Sequence, residues 1–225
     1  MNYSEILSPL TAYKIIEHSQ GWERSGIESY RYFQKEYFRP KKNPKSDIVT
    51  NFKFLIPGRI YTYKYNPLYK DELDFYDKRP ITLIIKHYIH PNTGNNLQLG
   101  INLNFIPREI RVYILESIWS SFKNVISQDL ERRQLDDNPK LRQTLLFTDN
   151  FDYYGLLEYL LGTIAKTNWK FAIRQYIWGR ILNAKFIDYT DWHHISFLEA
   201  KDIVGISERE LLKLYWNSKN KIKKF

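Results

Sequence analysis

Three aspartates, Asp71, Asp74 and Asp77, recur at every third position in a connector that also holds Glu72. Carboxylates at this spacing can gather around Ca²⁺ or Mg²⁺ when the backbone wraps tightly, because hard cations take several oxygen ligands. The glycine of a calcium loop is missing, so the preferred reading is that the same acids tie Arg59, Lys64 or Lys70, or dock a neighbouring chain. Histidine offers two further groupings, His87-x-x-His90 and His193-His194. Positions three apart on a strand face opposite sides, so His87 and His90 share a metal only if the strand ends between them. Cysteine is absent, which removes thiolate ligands and disulfides. There is no Gly-rich phosphate loop, GxSxG elbow or HExxH helix, and this reading assigns neither a metal nor a cofactor. The balance moves from catalysis toward binding.

The other chemistry is electrostatic. The chain of 225 residues carries a formal charge of +9, which attracts nucleic acid or an acidic protein surface. Arg39, Lys41, Lys42 and Lys45 cluster in a linker broken by Pro40 and Pro44, and Lys219, Lys221, Lys223 and Lys224 cluster near Phe225. Both clusters are candidate contacts to DNA phosphates or an acidic partner; the bland alternatives are a solvated linker and a frayed end. Tyr30, Phe33, Tyr37 and Phe38 interleave with Arg31, Lys35 and Arg39. Such a mixture can stack on bases while holding phosphates. The alternative is an arm lying on a neighbouring subunit with its aromatics in grooves, and Trp119 joins these residues as a candidate partner interface.

These residues must be positioned by a sheet and by helices. Phe52, Phe54 and Ile56 alternate up to Pro57-Gly58, a turn pair. Ile60 to Tyr65 alternates again, Ile81 to Ile89 is an apolar run, and Pro91 to Asn96 is a turn cluster. Leu97 to Phe105 places Leu97, Leu99, Ile101, Leu103 and Phe105 on one face and Gln98, Gly100, Asn102 and Asn104 on the other. Strands so close together predict a small curled antiparallel sheet or barrel of the SH3-like kind over residues 51–106.

Helices are predicted on both sides of it. Pro9 suits the first turn of a helix over Ser8 to Ser19 that Gly21 stops, giving a helical arm and basic linker over 1–50. Residues 107–225 read as helical: one helix from Pro107 to about Gln128, one over Tyr153 to Lys166, and one after Asn168 in which Trp169, Ile173, Tyr176, Ile177, Arg180 and Ile181 recur at helical steps. The last two would pack antiparallel, with Gly162 allowing close approach. Ile187 to Ile206 reads as irregular, and Ser207 with Glu210 forms a capping box. The fold class is therefore α+β. The apolar runs fall far short of the roughly 20 residues that cross a bilayer, and Met1 to Glu5 lacks the basic start of a signal peptide. The expected setting has no membrane contact.

The string Pro57-Gly58-x-Ile60-Tyr61-x-Tyr63-x-Tyr65-x-Pro67, then Asp71-x-Leu73-x-x-Tyr76-Asp77-x-x-Pro80, then Gly100-Ile101-Asn102-Leu103-x-Phe105-x-Pro107-x-x-x-Arg111 resembles a virion-associated family of T-even-like contractile-tailed phages, the DNA end protector proteins. Two departures stand out: Asn104-Phe105-Ile106 replaces a His-Tyr-Leu sequence, and the loop Tyr88 to Asn96 is longer. Neither breaks the strand pattern. The resemblance implies a non-enzymatic structural or accessory virion protein assembled in the host cytoplasm. It would be held by neck, tail or baseplate proteins and would cover the ends of genomic DNA. Within the phage reading, the competitor is a neck, tail or baseplate subunit with no DNA contact. The competitor from another class is a metal-dependent enzyme acting on nucleic acid through Asp71, Asp74 and Asp77.

Overall fold

The computed structural model describes residues 8–38, 55–120, 153–167, 169–198, 203–207, 209–211 and 213. The chain divides into two compact units, one formed by Phe33–Pro107, Tyr153–Ile187 and Glu199–Phe225, the other by Met1–Tyr32, Arg108–Asp152 and Asp188–Leu198.

The first unit is built on a five-stranded antiparallel sheet: β1 (Ile60–Tyr65), β3 (Ile81–Ile89), β4 (Asn96–Asn102), β5 (Ile173–Ile177) and β6 (Ile181–Phe186), in the order β5-β4-β3-β1-β6. The outer strands, β5 and β6, are separated only by the 3₁₀ turn Trp178–Arg180. In a flat sheet, strands four places apart would be about 19 Å from each other, whereas a 3₁₀ turn rises about 2 Å per residue. The sheet must therefore curl to bring its edges together, as the SH3-like expectation requires. A second, two-stranded ladder pairs β2 (Tyr76–Asp77) with β7 (Ile203–Val204).

The strands β1, β3 and β4 and the β3–β4 hairpin form as their alternation and turn residues predict. His90 N donates to Asn95 O at 2.9 Å, and Gly94 takes the positive φ of 67° that closes the turn. The strand expected to run to Phe105 stops at Asn102, whose side chain accepts from Asn104 N at 3.0 Å and turns Leu103–Phe105 into a 3₁₀ turn. Of the expected strand before Pro57, residues 52–54 lie outside the described residues and Leu55 and Ile56 are not strand.

The helix expected after Asn168, in a region read as helical throughout, is instead β5 and β6. Ile173, Ile177 and Ile181 fit both periods, and short apolar runs with β-branched residues do not separate helix from strand. Long-range pairing decides: Ile101 stands opposite Ile173, Leu97 opposite Ile177 and Tyr65 opposite Ile181. The expected pair of antiparallel helices is therefore absent. Instead α4 (Tyr153–Ala165) packs on β3 and β5, burying Leu157, Leu160 and Ile164. Among the described residues nothing lies within 4 Å of a Cβ placed on Gly162.

Both faces of the sheet are covered. The face of β4 read as polar is buried, with Gln98 and Asn102 at 0% exposure. Cross-strand partners share a face, so Gln98 lies with Tyr176, Gly100 with Ile84 and Asn102 with Thr82. That side holds a core of Leu55, Tyr61, Tyr63, Ile84 and Tyr176. The Tyr63 and Tyr176 rings meet edge to face at 5.4 Å, and Tyr63 Oη and Thr82 Oγ1 share a hydrogen bond of 3.0 Å. The capping box forms as read: Ser207 N donates to Glu210 Oε2 at 2.9 Å and Glu210 N to Ser207 Oγ at 3.3 Å.

The second unit is helical. Ser8 Oγ accepts from Thr11 N to cap α1 (Pro9–Gln20), and Gly21, with φ 73°, ends it. There follow α2 (Trp22–Phe33), whose final residue falls in the first unit, α3, helical over 108–120, and α5 (Trp192–Phe197). Tyr13, Val112 and Phe197 form its core, with Tyr13 stacked on Phe197 at 5.1 Å. Leu10 N, an orphan donor in the first turn of α1, reaches Glu116 Oε2 at 3.0 Å. The buried Arg111 donates from Nη1 to the carbonyls of Ile195 and Leu198 at 2.6 and 2.9 Å. The segment Ile187 to Ile206, read as irregular, thus contains α5 and the 3₁₀ turn Tyr189–Asp191. The remainder of the helix expected to reach Gln128 lies outside the described residues.

Candidate functional site

The three aspartates separate. Asp71 and Asp74 are exposed, while Asp77 is buried. Asp77 Oδ2 accepts from Asn102 Nδ2 at 3.1 Å and Asn104 Nδ2 at 2.7 Å, and Oδ1 accepts from Arg79 N at 2.8 Å. Its carboxylate clamps the connector to the end of β4, a structural task for the acid that seemed part of a metal loop. Among the described residues no group of three or more His, Asp or Glu is placed to hold a metal ion. His87 is exposed on β3, and His90 Nδ1 accepts from Asn92 N at 3.3 Å within the turn. His194 stacks on Tyr32 at 4.2 Å and shares a hydrogen bond of 3.1 Å with Ser29. Burial, helped by the neighbouring His193, pushes the His194 pKa down to about 3.

The aromatic arm is partly accounted for by its own chain. Residues Gln34–Phe38 form a π turn after α2. Phe33 is fully buried, with the rings of Tyr37 and Phe38 at 4.8 and 5.9 Å. Arg79 lies over the Phe38 ring at 4.9 Å and donates from Nη1 to Phe38 O at 3.4 Å. Phe33 and Trp119 are thus core residues without surface to offer a partner, whereas Tyr30, Tyr37 and Phe38 keep part of theirs. Arg39, Lys41, Lys42, Lys45, Lys219, Lys221, Lys223 and Lys224 all lie outside the described residues.

The feature that sequence reading missed is a cavity of about 490 Å³ within the first unit. Its walls come from the end of β1 (Tyr65), the connector (Leu68, Tyr69, Leu73, Tyr76) with Asp77, the β3–β4 turn (His90, Asn95), β4 (Leu97, Leu99, Asn102), Phe105 and all of β5. Pro67 ends β1 because it cannot donate to the ladder, and Tyr65 N donates to Lys78 O at 3.0 Å as the connector returns. Gly205, at φ 90°, lets β7 pass the connector, where a Cβ would lie 2.3 Å from Asp74 O.

Among the described residues that line this space are the cation Arg174 and the carboxylate Asp77. Arg174 on β5 lies over Phe75 at 4.9 Å and Phe105 at 5.1 Å. Among the described residues it makes no ion pair, and its buried Nε has no hydrogen bond. Desolvation lowers its pKa, and the charge of Asp77 works in the opposite direction to keep it protonated. The cavity therefore combines aromatic faces with a poorly solvated guanidinium, an arrangement that receives a flat ring and an anionic group. One signal could have found it: from Tyr159 to Ile187 the chain has no Asp or Glu but holds Lys166, Lys170, Arg174, Arg180 and Lys185.

Residues 24–133 match the family model described as Phage T4 terminal DNA protecting protein, just under half of the 225 residues. Over that span the chain is similar to this family. No curated protein and no solved structure matches the chain. The family span takes in β1 to β4 and the described part of α3 and leaves out β5 and β6. The residues that carry the resemblance hold the fold: Asp77 binds Asn102, Arg111 binds the end of α5, and a Cβ on Gly100 would meet Thr82 Cγ2 at 2.3 Å. Among the described residues no helix is long and apolar enough to cross a membrane.

Proposed function

We propose that this protein is a non-enzymatic component of a phage virion that covers the end of the genomic DNA and shields it from exonuclease. The family match over residues 24–133 carries this reading. The charge of +9 supports it, because a basic surface neutralises phosphates and releases their counterions. Protection of this kind is steric: a bound chain occupies the terminus that an exonuclease must enter. Arg39, Lys41, Lys42, Lys45 and the terminal lysines Lys219, Lys221, Lys223 and Lys224 supply phosphate contacts. Tyr30, Tyr37 and Phe38 face neighbouring neck, tail or baseplate proteins that hold the chain in a particle assembled in the host cytoplasm.

The test is a linear duplex exposed to a processive exonuclease with and without the full chain, at several salt concentrations. Protection that lengthens the DNA half-life at least tenfold and fades as salt rises supports the proposal. Digestion at an unchanged rate, or metal-dependent cleavage by the protein itself, overturns it.

A further inference from the structure

Any protein that marks a DNA end must use something the interior of a duplex does not offer. Phosphates do not qualify, since they run the whole length and give binding without position. What an end does offer is a base pair stacked on one side only, so unpairing its nucleotide costs less than extruding one from within the stack. A protein reads an unpaired base with aromatic faces and a nearby cation.

The first unit has these parts. Its cavity of about 490 Å³ lies in the range that encloses small ligands and is far too small for a duplex. Tyr69 and Tyr76 line it without a ring partner among the described residues, and the Tyr69 side of the connector is open, with 60% of that residue exposed. Arg174 lies in the same lining over Phe75 and Phe105 and makes no ion pair among the described residues, while the Asp77 carboxylate, which also lines the cavity, is taken up by Asn102 and Asn104. The buried Nε of Arg174 has no hydrogen bond among the described residues, and an arriving phosphate oxygen supplies one. The exposed acids Asp71, Glu72 and Asp74 lie on the connector, while Arg174 lies in the stretch without acids. A polyanion is therefore drawn in from the β5 side.

We infer that this cavity takes the terminal nucleotide of the DNA, its base against Tyr69 and Tyr76 and its phosphate against Arg174. The inference rests on the reading of the protein as a cover for DNA ends and gives that reading a point of discrimination.

The experiment uses the full chain, a duplex with open ends and the same duplex closed by hairpin loops. Deoxynucleoside 5′-monophosphates serve as competitors, with Tyr69→Ala and Arg174→Gln as variants. Thermal melting of each variant confirms folding; Tyr69→Ala removes an exposed ring, so the test survives if Arg174→Gln fails to fold. The expected result is that the wild type prefers the open duplex, that monophosphates erase the preference, and that each folded variant lowers the open-to-closed affinity ratio about tenfold. If the wild type prefers open ends and the folded variants keep that preference in full, the terminus is held elsewhere: this inference falls and the proposed function stands. If the wild type binds both duplexes alike, both fall together.

Discussion

The central strands of the sheet and its two outer strands were built from different kinds of sequence. Strands β1, β3 and β4 lie inside the span matched to the phage family, and their side chains are mostly turned to holding one another: Ile60, Ile81, Leu83, Ile84 and Ile101 are essentially without exposed surface. Strands β5 and β6 lie outside that span and keep much of their surface, with Gln175, Leu182 and Asn183 exposed. Yet Arg174 and Tyr176, which line the cavity, come from β5, and the stretch without acids covers both outer strands. The difference teaches that a family signature can cover the packed centre of a sheet and the connector with Tyr69 and Tyr76, while Arg174 comes from an edge strand outside it. Substitutions in the central strands should therefore cost stability, and those at the edges or in the connector should cost binding.

The sharpest challenge to that division is Asp77→Ala. It strips the acceptor from two buried amides and a backbone N–H, and hydrogen bonds to a charged group are worth about 1.5–3 kcal/mol each. A loss of about 3 kcal/mol or more is expected in urea unfolding; a loss below about 0.5 kcal/mol would mean that the clamp does not hold β4. Gly100→Ala comes next, since its Cβ would sit 2.8 Å from Leu83 O as well as against Thr82. Overpacking of this sort costs about 1–3 kcal/mol, read as a lower midpoint with an unchanged slope. At the edge, Asn183 sits at φ 54° where β1 and β6 shift register. Asn183→Gly should leave stability within about 0.5 kcal/mol, because glycine adopts that backbone freely. Tyr69→Ala should change stability least of all, within the same margin, and a large loss there would show the connector ring to be structural.

Much of this fold was legible in the chain, and for one physical reason. Where one face of an element is apolar and the next residue turns the chain, pattern and structure coincide: Ser8-Pro9 and Gly21 around α1, Asn95 and Gly94 in the hairpin, Ser207 and Glu210 in the capping box. The outer strands failed that test because Ile173, Ile177 and Ile181 satisfy helical steps as well as alternate ones, and only partners more than seventy residues away in β4 and more than a hundred away in β1 decide between them. The site was harder still. Asp71, Asp74 and Asp77 looked like one constellation, but burial of Asp77 alone splits it. Tyr69 and Arg174 are far apart in sequence, and nothing local announces that they share a cavity. The absence of acids from Tyr159 to Ile187 was readable, though it points to a surface and not to a site.

The central claim is that the DNA terminus lies between the connector and β5. A duplex carrying a photoreactive terminal nucleotide, crosslinked to the full chain and mapped by peptide mass spectrometry, tests it directly. The account predicts adducts in residues 65–77 and 173–177, lost when the reactive nucleotide is moved to the middle of a closed duplex. Adducts confined to other segments, or the same adducts from the internal position, would contradict it.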